Sequence, residues 1–176
     1  MKIIFYKQNQ KGFSLIEMMV VVVILGVIVL ALVTFFTGGT KSWVAGQSQL
    51  EAQRNARQAM DRMVREIREG NEIMSNSDSY SVTVYIPPFP LEGIAERYVF
   101  YALSGTTMQR DGNPLIDNVQ IDGESIFKYY NNDGTEVNPP NSTVSKVHIN
   151  LKVDVDKDSN PDITLNTDVN LRNFGF

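Results

Sequence analysis

Lys11-Gly12-Phe13, with Glu17 four residues further on, is the first place in this sequence where residue types and spacing suggest chemistry. A glycine ahead of a bulky residue lets an extended backbone pass through a tight protease site. A cut after Gly12 would expose an amine on Phe13. That amine is largely protonated at neutral pH, because α-amino groups titrate near about 7.7–8. The new cation and the Glu17 carboxylate would then share one end of a helix. They could pair at i,i+4 within one helix, or between parallel helices staggered along an axis. In a low-dielectric core such pairing is far stronger than in water. A subunit entering without its partner would leave two charges unpaired, and that penalty would select register.

A second group is "DVDKDSNPD", residues 154–162. Asp154, Asp156, Asp158 and Asp162 are hard oxygen ligands at spacings that suit Ca²⁺. The stretch departs from an EF-hand loop: Pro161 intrudes, the central glycine is missing and the closing glutamate is absent. The plainer reading is a polar hairpin turn with Asp154 on the solvated face of its strand. His148 is the single histidine, alternation sets it opposite Val147 and Ile149, and there is no cysteine. No serine sits in a recognisable nucleophile elbow. The sequence therefore predicts no enzyme, and no cofactor beyond the possible Ca²⁺. Arg54, Arg57, Arg62, Arg65 and Arg68 could attract phosphates. Glu51, Asp61, Glu66 and Glu69 lie among them, however, and read the same face as solvated and salt-bridged. Tyr98, Phe100, Tyr129 and Tyr130 fall on strand-like runs, where packing or subunit contact explains them more simply than a ligand platform.

The elements that must position these residues divide the chain sharply. Residues 1–12 carry Lys2, Lys7 and Lys11 and no acid. Without those three lysines the net charge of −4 becomes −7, which argues against nucleic acid as a main partner. From Met18 to Thr40 there is no charged residue. That exceeds the roughly 20 residues needed to cross a bilayer core. It also exceeds the core of a secretory signal, and a plain signal anchor would not explain Glu17. A carboxylate inside a membrane helix costs about 2.5–3.5 kcal/mol and usually marks function. Lysines before the run outnumber Lys41 after it, so the N-terminus should be cytoplasmic and the remainder outside. Trp43 falls where an interfacial anchor would.

No proline lies between Met1 and Ile86, so one helix is expected to run to about Glu69, with Gly38-Gly39 its weak point. Its second half is amphipathic. Leu50, Ala56, Met60, Met63, Val64 and Ile67 form an apolar stripe, and Arg57–Asp61, Arg62–Glu66 and Arg65–Glu69 are i,i+4 pairs. After Asn71 the pattern alternates with period two. Strands are expected at Tyr80–Ile86, Glu96–Leu103, "TTMQR" and "NVQIDGESIFKYY", the last with a bulge near Gly123. "DGNP" (Asp111–Pro114) reads as a turn and "NNDGTEVNPPNS" as a long loop. Val147 to Val155 and Ile163 to Leu171 read as a hairpin with one buried face. The expected fold class is α+β. The expected divisions are a leader at 1–12, an apolar helix at 13–36, its amphipathic continuation at 37–70 and a β-rich domain at 71–176.

"KGFSLIEMMVVVVILGVI" resembles the class III signal of type IV pilins and type II secretion pseudopilins. The resemblance implies a pilin-like fold, and cleavage between Gly12 and Phe13 by a membrane prepilin peptidase, often with N-methylation of Phe13. It implies Glu17 as the assembly carboxylate. It implies a single-pass protein of the cytoplasmic membrane, passing from lipid and an inner-membrane assembly platform into a filament of other pilin subunits. "NARQAMDRMVREIREG", "RYVFYALSGTTMQRDG", "NVQIDGESIFKYYNNDG" and "VNLRN" resemble the minor pilin or J-type pseudopilin group. The apolar helix lacks proline and the C-terminus lacks a disulfide loop, which favours a minor subunit of a pilus, secretion pseudopilus or competence filament. Because Glu17 is present, the subunit need not be the tip. Two other readings stay open: a permanently anchored extracytoplasmic module binding DNA or calcium, and a secreted enzyme released near Gly39.

Overall fold

The computed structural model describes residues 12–88, 95–138 and 143–172. The basic residues up to Lys11, where a leader was expected, part of the "PPFP" loop and part of the "NPPNS" stretch lie outside them. The chain forms two compact units, Met1–Gly46 and Gln47–Phe176. One helix, α1, covers Leu15–Glu69. It stays helical through Gly38-Gly39.

In the first unit every described residue is exposed. α1 is the one described helix long and apolar enough to cross a membrane, and its most apolar stretch buries nothing against protein. Thr34, Thr37 and Thr40 interrupt the aliphatic sequence without leaving polar groups free. Each hydroxyl donates to carbonyls one turn back, Thr34 to Leu30 and Ala31, Thr37 to Val33 and Thr34, Thr40 to Phe36 and Thr37, at 2.9–3.1 Å.

In the second unit the remainder of α1 meets two antiparallel sheets. One has the order β1-β2-β3-β4-β5: Glu72–Ile73, Ser81–Ile86, Arg97–Ser104, Thr107–Arg110 and Asn113–Ile116. The other is β6-β7-β8: Phe127–Asn131, Val144–Val153 and Ile163–Asn170. Helix and sheets share one apolar core. Ala56, Ala59, Met60, Met63 and Ile67 from α1 join Val82, Val84, Ile86, Val99, Tyr101 and Met108 of the larger sheet. Phe127, Tyr129, Val147, Ile149, Leu151 and Val169 come from the smaller. Period two puts Val82, Val84, Val99, Val147, Ile149 and Val169 on this inner face. Gly70 ends the helix where a side chain has no room: a Cβ there would lie 2.3 Å from Val84 Cγ1.

The expected α+β arrangement of a long N-terminal helix and antiparallel strands is present. Several details differ. Leu50, expected in the stripe, is 66% exposed, while Ala59 and Glu66 are buried. "DGNP" is only half a turn. Asp111 and Gly112 make it with left-handed backbones, and Asn113-Pro114 already belong to β5, an edge strand where proline removes no ladder bond. The expected strand through "NVQIDGES" is absent: Asp122-Gly123 turns the chain, and only an isolated bridge, Val119–Val153, remains before β6.

Candidate assembly helix and acidic loop

Gly12, Phe13 and Ser14 precede the helix. Ser14 caps it: the Glu17 amide donates to Ser14 Oγ at 3.4 Å and to Ser14 O at 3.1 Å, and the Met18 amide to Ser14 O at 3.2 Å. Ser14-Leu15-Ile16-Glu17 is therefore a capping-box sequence with Glu17 at its third helical position. A carboxylate there also suits the helix dipole. The S-x-x-E spacing in the sequence carries this capping role beside the ion pair expected of Glu17. Gly12 is exposed, and a Cβ built on it would meet nothing within 4 Å. The folded chain places no demand on glycine at this position. Phe13 is 77% exposed.

The acidic loop between β7 and β8 is organised around Asp154. Sequence alternation put this residue on a solvated face; it is instead 8% exposed, because the chain leaves the strand register at Val153 and folds back over it. Asp154 Oδ1 accepts the Lys157 amide at 2.7 Å and Oδ2 the Ser159 amide at 3.0 Å. Asp162 Oδ2 accepts the Val155 amide at 2.7 Å, and its Oδ1 accepts Gln49 Nε2 from α1 at 3.3 Å. One carboxylate oxygen from each of Asp154, Asp156 and Asp162 falls within 4.8 Å of the others. Asp158 is not in this group: its Oδ1 accepts the Asn160 amide at 2.8 Å. Ser159, sixth in the loop, where an EF-hand has glycine, takes the same left-handed turn at φ 73°. The Asp158 amide donates to Asp156 and lowers its pKa, but desolvation and the charges of Asp158, Asp162 and Asp154 outweigh it and leave Asp156 raised.

Other expected residues scatter. His148 is half-buried on the outer face of the smaller sheet, with Nδ1 2.7 Å from Asp168 Oδ1. Tyr130 stacks under Lys146, whose Nζ is 4.6 Å from the ring centre. Tyr98 is 57% exposed, and Tyr129 is buried. Of the arginine group, Arg62 meets Glu66 at 3.5 Å. Glu66 itself was read as part of a solvated face. It lies instead under the larger sheet, accepting from Tyr101 Oη at 2.5 Å and Arg110 Nε at 2.9 Å. Burial opposes its charge, but the Arg110 and Tyr101 hydrogen bonds and the charges of Arg110 and Arg62 prevail, and its pKa is lowered.

A family model described as the prokaryotic N-terminal methylation motif matches residues 7–33. This is the N-terminal signature of the type IV pilin and pseudopilin superfamily. The motif spans Lys7 and Lys11, Gly12, Phe13, Glu17 and the exposed apolar turns that follow. The superfamily is structural, not enzymatic, and its motif implies association with other pilin subunits and with a prepilin peptidase. The motif and the apolar helix fit a membrane-anchored protein with a C-terminal domain. No match was found among curated proteins or among solved structures.

Proposed function

We propose that this chain is a minor type IV pilin or pseudopilin, cut after Gly12, methylated on Phe13 and built into a filament or its initiating complex. One observation carries the reading: the methylation motif opens a helix that has no charge from Met18 to Thr40 and buries no described residue before Ala56 in the chain's own fold. Such a helix must find lipid or other helices. Glu17 is the sole charge within its apolar part and would pair with the Phe13 amine of the same or a neighbouring subunit. Gly12 supports the same reading, since a glycine the fold does not need suits an external reader of extended backbone.

Mass spectrometry of the N-terminal peptide from native membranes tests this. A peptide starting at Phe13 and about 14 Da heavier from one methyl group is expected. An intact Met1, or a start near Ser42, would overturn it.

A second reading draws on the convergence of Asp154, Asp156 and Asp162. Here the chain would be a permanently anchored extracytoplasmic module holding a hard divalent cation such as Ca²⁺. It expects an intact leader, indifference to Glu17→Ala, and Ca²⁺ heat on calorimetric titration that Asp156→Asn removes.

A further inference from the structure

Each sheet has two edges, and three of the four are blunted. β1 has two residues. β5 has four and includes Pro114. The outer side of β6 is occupied: Val137 donates to Tyr129 O at 2.8 Å and Asn131 to Thr135 O at 3.0 Å, beside a register shift at Tyr130/Asn131. β8 has none of these protections. Its eight residues pair with β7 without a register shift and contain no proline, lysine or arginine. Among the described residues, β7 is the one element in extensive backbone contact with it. A long, unprotected edge is what folded proteins ordinarily avoid, because its free N–H and C=O groups template another strand.

The phase of the ladder identifies those groups. The Leu171 amide donates to Ser145 O at 2.9 Å, in register with the Lys146–Asn170 pair. Odd-numbered residues of β8 therefore bond to β7, and the backbone of Thr164, Asn166, Asp168 and Asn170 points outward. All four are exposed. The inner lip is open too: Leu165 is half-buried while Leu151 opposite it is fully buried.

An outward row of alternating donors and acceptors fits another extended backbone. Charge narrows the choice. Residues 154–170 carry Asp154, Asp156, Asp158, Asp162 and Asp168 against Lys157 alone. Lys146 and His148 meet Asp168 from the β7 side, which leaves the loop carboxylates at the start of the strand to set the sign. A second copy's β8 edge has no lysine or arginine to set against these carboxylates. A basic strand would not be repelled. We infer that the β8 edge accepts an extended, lysine- or arginine-bearing strand from a different protein chain, which joins the β6-β7-β8 sheet as a fourth strand. The inference does not depend on cleavage at Gly12.

The test uses the full chain in detergent and a synthetic peptide of about eight residues alternating lysine and valine. A second peptide is N-methylated at every residue, so that neither edge can donate. Amide exchange is read across 163–170. The first peptide should slow exchange at Thr164, Asn166, Asp168 and Asn170. The methylated one should bind about tenfold more weakly and protect nothing. Asn166→Pro should abolish protection while leaving the fold intact, because it removes an outward N–H and no ladder bond. Equal binding of both peptides, or no protection by either, would overturn the inference. So would concentration-dependent protection without peptide, which would mean self-pairing. The peptide comparison stands even if Asn166→Pro fails to fold.

Discussion

Glu17 and Glu66 are both carboxylates on α1, in opposite circumstances. Glu17 is exposed, and its backbone amide bonds to Ser14, while Glu66 has Arg110, Tyr101 and Arg62 in place. Glu17→Ala should leave processing after Gly12 intact and abolish filament incorporation, read by N-terminal mass spectrometry and by the amount of chain in sheared filaments. Glu66→Ala should cost about 2 kcal/mol, because it removes the acceptor of the buried Tyr101 hydroxyl and leaves Arg110 with Asp111; denaturant unfolding measures it. The Glu66 pKa is lower folded than unfolded. Its contribution is therefore complete at neutral pH and drains away as pH falls below about 4.5, the ordinary glutamate range. The difference between wild type and Glu66→Gln should shrink over that range. Asp156 runs the other way. Its raised pKa marks repulsion present at neutral pH, so Asp156→Asn should raise the melting temperature in chelator. Little of this was legible in the chain. The Glu66 partners lie 35 and 44 residues away, and its own neighbours Arg62 and Arg65 suggest an exposed face. The methylation motif at residues 7–33 was legible because Gly12, Phe13, Glu17 and the apolar run stand in local order.

Among the elements, α1 was readable end to end, since no proline interrupts it and its second half repeats at helical spacing. The strands were readable wherever one face is buried: β7 and β8 alternate, and β2 and β3 are rich in β-branched and aromatic residues. β5 was hidden by its proline, and β1 is too short to show a period. Val119 and Ile121 alternate like a strand, but Asp122-Gly123 turns before a partner can form. The junction at Gly70 carries the sharpest prediction at this scale. Gly70→Ala drives a methyl into Val84 and against the Ile67 carbonyl, 3.0 Å away, and should cost about 1–3 kcal/mol by overpacking. Thermal unfolding followed by circular dichroism would show it.

For the molecule as a whole, the described residues of Met1–Gly46 are all exposed, and the core lies in Gln47–Phe176. Chain-wide charge and apolar content foretold that division; the split into two sheets they did not. Tyr129 belongs to the smaller sheet, yet its hydroxyl lies 2.7 Å from Ser81 O and 2.9 Å from Asp78 O, at the start of β2. The Ile126 and Phe127 amides donate to Ser79 O beside it. Tyr129→Phe should lower stability by about 1 kcal/mol, measured by equilibrium denaturation. The same contact has a mechanical side. Tyr129 acts as a rivet, so a tug on the C-terminal hairpin is passed to the larger sheet before either can slide. Stretched end to end, this domain should yield in one rupture, and without the rivet in two.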